Sequence, residues 1–223
     1  YTGINQKKWR KSMLETYRTI EKNGVVEIEI KKSRFLCFLQ RVTTEEEARE
    51  FIQEIKKEHW KANHNCSAFI IGTKGMVLRS SDDGEPSGTA GVPMLEVLKQ
   101  NELVDVVAVV TRYFGGIKLG AGGLIRAYST SVSEALKEIG IVEVKPQQEI
   151  LVTIDYPAVG KMQHFLESQA YVVKGTQFLS DVTFHIMVDE EESPVFQEEV
   201  TELLNGQVLF ELGDYQYTEI KIK

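Results

Sequence analysis

The chain has 223 residues, 42% of them hydrophobic and 26% charged, a globular composition with room for two domains. No apolar run approaches the roughly 20 residues needed to span a bilayer, and the opening residues lack the apolar stretch of a secretory signal, so the expectation is a cytoplasmic protein with no membrane partner. The net charge of −7 is uneven: residues 1–146 hold 22 Lys and Arg against 19 Asp and Glu, whereas residues 147–223 hold four lysines, no arginine and fourteen acids, a balance of −10 that repels phosphate backbones.

Residues 1–12 are basic and unpatterned and read as a leader ahead of Met13. From Val25 the chain alternates, with Val26, Ile28 and Ile30 on one side, which predicts a half-buried strand, and Arg34–Arg41 predicts a second. Thr44 and Glu47 form a capping box, and Ala48, Phe51, Ile52 and Ile55 keep helical spacing to about His59. Asn65–Ile71 reads as a strand and Met76–Arg79 as its short partner. A helix is expected from about Val92 to Gln100, with Pro93 in its first turn. The nearly unbroken apolar run Val104–Thr111 reads as a central strand buried on both faces. A glycine-rich loop then leads to a helix over about Gly122–Ile139.

After Gly140 and Pro146 the pattern changes, which sets the expected domains at 13–143 and 147–223. The second half reads as strand Glu149–Asp155, helix Ala158–Ser168, strands Tyr171–Phe178 and Val182–Val188, a helix opened by Ser193-Pro194 and stopped by Gly206, and strand Val208–Leu212. Gly213-Asp214 is expected to turn a hairpin into Glu219–Ile222. This order, β-α-β-β-α-β, is that of a ferredoxin-like split βαβ unit, and the fold class expected for the whole chain is α+β.

Three segments carry candidate chemistry. Residues 80–91, SSDDGEPSGTAG, place Asp82, Asp83 and Glu85 beside Ser87, Gly88 and Thr89 in a long polar loop. Clustered carboxylates can hold a divalent cation or share a proton, while a solvated turn explains the same composition. The loop does not match an EF-hand.

Residues 112–126, RYFGGIKLGAGGLIR, hold Gly115, Gly116, Gly120 and Gly122 between a strand and a helix, with Arg112, Lys118 and Arg126 as cations. A helix N-terminus with free N–H groups suits an anion, and a tight strand-to-helix connection also needs glycines. Neither a Walker A string nor a complete GxGxxG is present. Tyr113 and Phe114 offer stacking faces. Third, His59, His64, Cys66 and Cys37 invite a metal or nucleophile reading, but their spacing fits packed, reduced thiols and a hydrogen-bonded His better. No catalytic residue, metal ligand or cofactor is assigned.

Three strings, H64-N-C-S-A68, D82-D-G-E-P-S-G-T-A-G-V-P-M94 and V109-V-T-R-Y-F-G-G-I-K-L-G-A-G-G-L-I-R126, together resemble the IMPACT/YigZ family. The resemblance implies an N-terminal domain of the ribosomal-protein type, with a left-handed βαβ crossover similar to domain IV of elongation factor G. It implies a second domain similar to that factor's domain V. It also implies a link to translation, since eukaryotic members act as translational regulators. The site residues it marks are Asp82, Asp83, Glu85, Ser87, Gly88, Thr89, Arg112, Gly115, Gly116, Lys118, Gly120 and Arg126.

Three readings follow. The first is a non-enzymatic, translation-linked regulator that binds RNA or the ribosome through the helix start at 112–126. The second is an enzyme or binding protein for a small phosphorylated or nucleotide ligand, with the acidic loop holding Mg²⁺. The third is an interaction module whose −10 half meets a basic, translation-related protein partner. The oligomeric state stays open.

Overall fold

The computed structural model describes residues 15–222, and the reading of residues 1–12 as a leader falls outside them. The chain forms two compact units, Thr16–Val144 with the last few residues, and Lys145–Glu219.

The first unit begins with strand β1 (Tyr17–Ile20) and continues through β2 (Gly24–Ile30), β3 (Ser33–Arg41), helix α1 (Glu45–Glu58), β4 (His64–Ile71), β5 (Val77–Ser81), α2 (Gly91–Gln100), β6 (Val106–Tyr113) and α3 (Gly120–Ile139). Five of these strands form one antiparallel sheet in the order β2-β3-β6-β4-β5. The apolar run of β6 lies at its centre and is buried on both faces. Successive side chains of a strand point to opposite faces. Val106, Ala108 and Val110 therefore pack with Met94 and Leu98 of α2 and Tyr128 and Val132 of α3, while Val107 and Val109 pack with Ala48, Ile52 and Ile55 of α1. The capping box at Thr44 and Glu47 starts α1. Each apolar side chain buried this way contributes on the order of 1.5–3 kcal/mol.

The second unit runs from strand β7 (Ile141–Ile154), which begins in the first, through a 3₁₀ turn (Tyr156–Ala158), α4 (Val159–Ser168), β8 (Val172–Phe178), β9 (Val182–Val188), α5 (Ser193–Leu203) and β10 (Leu209–Ile222). Its strands lie in the order β10-β7-β9-β8, the arrangement of a ferredoxin-like split βαβ unit. Met162 and Leu166 of α4 and Phe196 and Val200 of α5 pack on Ile150, Val152, Phe184 and Ile186.

The sequence reading leaves two elements unread and misplaces a third. The stretch from Ile141 to Gln148, assigned to no element, is strand. β7 runs through, pairing Ile141–Val144 with β1 and Gln148–Ile154 with β9, and Pro146 falls between those pairings, where neither partner needs its missing N–H. The element β1 itself is too short and mixed to be read from its sequence. The third is at Gly213-Asp214, where β10 is continuous instead of a hairpin. A side chain at 213 would collide with the Glu149 carboxylate, so this glycine permits close strand approach and makes no turn.

Candidate functional site

The site grows from the register of β4 and β6. His64 lies directly opposite Arg112, and Asn65 opposite Thr111, whose hydroxyl donates to Asn65 Oδ1 at 2.7 Å. Paired residues have Cβ atoms about 4.5–5.5 Å apart, so the histidine and the arginine share one face at the sheet's end, and loop 82–91 folds over it.

The loop's three carboxylates serve three different partners. Asp82 accepts the backbone N–H groups of Gly88 at 2.8 Å, Ala90 at 3.1 Å and Gly91 at 2.8 Å, thereby capping α2. Burial pushes the Asp82 carboxyl up, but bonds from Gly88, Gly91 and Ala90 together outweigh it and hold the group below its ordinary range. Asp83 pairs with Lys56 Nζ at 2.6 Å and accepts the Asn65 N–H at 2.6 Å. Glu85 is buried and accepts from Arg112 Nη1 at 2.6 Å and from the Tyr128 hydroxyl at 2.8 Å, all through Oε1. Ser87 is exposed, Gly88 serves Asp82, and the Thr89 hydroxyl donates to the Pro86 carbonyl at 2.6 Å. The Mg²⁺ reading of this loop does not fit that arrangement, because each carboxylate is committed to protein donors in a different direction. Among the described residues no group of three acidic, His or Cys side chains can hold a metal.

Arg112, read from sequence as a phosphate counter-charge, is only 5% exposed and is spent on Glu85, with its guanidinium 5.5 Å from the ring centres of Phe35 and Phe114. Its Nε is buried with no hydrogen-bond partner among the described residues. Gly115 is required by close approach, since any side chain there would run into the Lys32 carbonyl of the β2–β3 turn. Gly116 and Gly120 have φ of 87° and 69°, a region that L side chains rarely adopt. Lys118 and Arg126 are exposed, and neither has a carboxylate partner among the described residues. The Arg126 side chain extends back toward Gly122. Tyr113 turns away, its hydroxyl 2.8 Å from His59 Nδ1, while Phe114 stays exposed.

These elements enclose a cleft of about 420 Å³, lined by His64, Glu85, Arg112, Phe114, Lys118 and Gly120, with Pro86, Leu119 and Leu124 among its apolar wall. The acidic loop and the glycine-rich segment thus share one concave surface. Of the residues singled out from sequence, His64, Glu85, Arg112, Phe114, Lys118 and Gly120 line it. Asp82, Asp83, Ser87, Gly88, Thr89, Gly115, Gly116, Gly122 and Arg126 do not. The start of α3 borders the cleft with no capping side chain and no acidic residue in its first turn, unlike α1, capped by Thr44, and α2, capped by Asp82. A helix N-terminus of this kind attracts negative charge.

Sequence reasoning weighs His64 for a metal or nucleophile and sets it aside as a hydrogen-bonded His, and it does not single out Tyr128. His64 Nδ1 lies 2.9 Å from the Asp83 carbonyl and its Nε2 3.7 Å from Glu85 Oε2. The signal that finds it is the strand register, which sets His64 against Arg112. Cys37 and Cys66 are both free and buried. Burial raises both thiols, that of Cys66 to about 12, so neither is a nucleophile at neutral pH.

A two-unit α+β chain with this cleft on its N-terminal sheet matches two family models in succession, the Impact N-terminal domain over residues 31–136 and a domain of unknown function (DUF1949) over residues 152–207. The chain belongs to the IMPACT family. It is 53% identical to the IMPACT family member YvyE of Bacillus subtilis over 93% of this chain and 95% of that protein. It is 40% identical to an IMPACT family member of Haemophilus influenzae over 86% of this chain and 95% of that protein. The Protein IMPACT homolog of Schizosaccharomyces pombe is 37% identical over 40% of this chain and 33% of its own length. A crystal structure of a hypothetical protein superimposes with a TM-score of 0.57 at 30% identity, covering 89% of this chain and 97% of that one.

Proposed function

We propose that this protein is a translation-linked binding protein that takes an RNA nucleotide unit into the cleft, its phosphate at the start of α3 and its base against Phe114. The observation that carries the reading is the uncapped, carboxylate-free start of α3 beside Lys118, which has no acidic partner among the described residues. Anions bind at such helix ends because unclaimed N–H groups and the helix dipole act together. Phe114, Leu119 and Leu124 supply an apolar wall suited to a base, and a cleft of about 420 Å³ lies within the ordinary range for a small ligand. Arg126, one turn further along α3, extends the positive rim. The translational setting is supported by the family likeness, and the work of the cleft on this reading is binding without a chemical step.

A salt titration of RNA binding by the full chain tests it. Affinity should fall steeply between about 50 and 200 mM salt, and Lys118→Ala and Arg126→Ala should each reduce the slope by about one. Absence of binding at the low-salt end contradicts the proposal, as does binding indifferent to both substitutions.

A further inference from the structure

A second cavity, of about 380 Å³, lies between α1 and the edge strand β5. Strand register builds one wall. Arg79 pairs with Phe69 and Ser81 with Ser67 across β5 and β4, and alternate residues of a strand share a face. That face is the one α1 covers, since Phe69 packs with Ile52 and Ile55. Arg112 lies on the other face, two residues beyond Val110, which packs with α2 and α3. Helical spacing builds the second wall: Arg49, Gln53 and Lys56, at i, i+4 and i+7, meet on one side of α1. The two cavities share no lining residue.

Arg49, Lys56 and Arg79 all line this cavity, and among the described residues no carboxylate does. The acids they reach are Glu45 and Asp83. Glu45 Oε1 accepts from Arg49 Nε at 3.1 Å and lies 3.7 Å from Arg79 Nε, while Asp83 takes Lys56 Nζ at 2.6 Å. Three cations thus face two carboxylates, with one positive charge in excess. Arg49 and Arg79 have side chains 64% and 57% exposed, and exposed ion pairs hold weakly. One carboxylate shared by two guanidiniums leaves most of their ten N–H donors to a ligand. Ser67 and Ser81 add hydroxyls beside them.

We infer that this cavity is a second phosphate-binding site, separate from the start of α3 and independent of the reading given to it. Guanidinium forks match the oxygens of a phosphate, and here two of them are set with a lysine around a volume ordinary for a small ligand. Phosphate of this kind comes on a small monoester or as the phosphodiester of an RNA backbone.

Titration of the isotope-labelled full chain with inorganic phosphate at low salt, followed by nuclear magnetic resonance, tests the assignment. The amides of Ser67, Arg79, Ser80 and Ser81 should shift saturably. Arg79→Ala should weaken that binding at least about tenfold, the value of one hydrogen bond to a charged group, and Arg79→Lys should fall between it and the wild type. Glu45→Gln frees both arginines and should tighten binding about two- to fivefold. Lys118→Ala should leave these shifts in place. Shifts at 121–123 without any at 67 or 79–81 overturn the second site and leave the α3 reading standing, while the reverse pattern supports the second site alone. Affinity unmoved by Arg79→Ala, or not tightened by Glu45→Gln, also overturns it. Ribose 5-phosphate and a short RNA without terminal phosphates separate the two sources: whichever shifts 79–81 at the lower concentration identifies the natural one.

Discussion

Arg112 and Glu85 stand 27 residues apart in the chain and 2.6 Å apart between Nη1 and Oε1, both side chains almost wholly buried. The pair fastens the acidic loop to the end of β6, and Tyr128 binds the same oxygen from α3. Three segments distant in sequence meet on one carboxylate, and the cleft exists because they do.

Breaking that pair should be expensive. Glu85→Gln leaves the Arg112 charge buried without its counter-ion and should lower unfolding stability by about 3–5 kcal/mol. Replacing both residues together, as Glu85→Leu with Arg112→Met, should recover much of that loss. Denaturant unfolding of Glu85→Leu, Arg112→Met and the double variant measures the coupling, and strictly additive effects would contradict a direct pair.

Tyr128→Phe removes only the hydroxyl that donates to Glu85 and keeps the ring, which packs edge-on against Phe35 at 5.4 Å. A loss of about 1.5–3 kcal/mol is expected for a hydrogen bond to a charged group. An unchanged denaturation midpoint would show that Glu85 does not depend on this donor.

Acid should loosen the loop through Asp82. Its carboxyl titrates lower in the folded chain than in the unfolded one, so its contribution is fully present above the unfolded value of about 3.9. That contribution is lost as pH falls through the folded value. Asp82→Asn should therefore be less stable than wild type at pH 7, and the gap should narrow as pH falls below about 4. A gap that stays constant with pH would contradict the account.

Gly115→Ala should be worse than Gly116→Ala. The first drives a methyl group into the Lys32 carbonyl, while the second meets open space and carries only the strain of a positive φ. Overpacking of this kind costs about 1–3 kcal/mol, and an αL alanine on the order of 1 kcal/mol. Thermal melts of the two variants give the ranking directly, and a reversed order would rule out the close approach.

Much of the fold was legible. The nearly unbroken run at Val104–Thr111 marked a strand buried on both faces, found at Val106–Tyr113, and Thr44 with Glu47 marked the start of α1 through side chains only three residues apart. The ferredoxin-like order of the second half followed from element sequence alone. What stayed hidden depends on distant partners. Gly213 looks like a turn until Glu149 is placed beside it, and Pro146 looks like a linker until the two pairings of β7 are known. The glycine-rich segment could be seen as a candidate anion site from its residue types, but the burial of Arg112 could not, because a cation three residues from Gly115 carries no sign that Glu85 will neutralise it. His64 could be weighed from its residue type, but its place in the cleft could not be read for a related reason: it comes from the register that sets it opposite Arg112.

The central claim is that the start of α3 receives the phosphate of a nucleotide unit. The most direct measurement is a titration of the isotope-labelled protein with adenosine 5′-monophosphate at low salt, following the backbone amides of Ala121, Gly122 and Gly123 by nuclear magnetic resonance. The account predicts saturable shifts at these amides and at Phe114, weakened by added salt, with Val182–Val188 unmoved. Still amides at 121–123 while the ligand binds elsewhere, or no shifts at all, would contradict it.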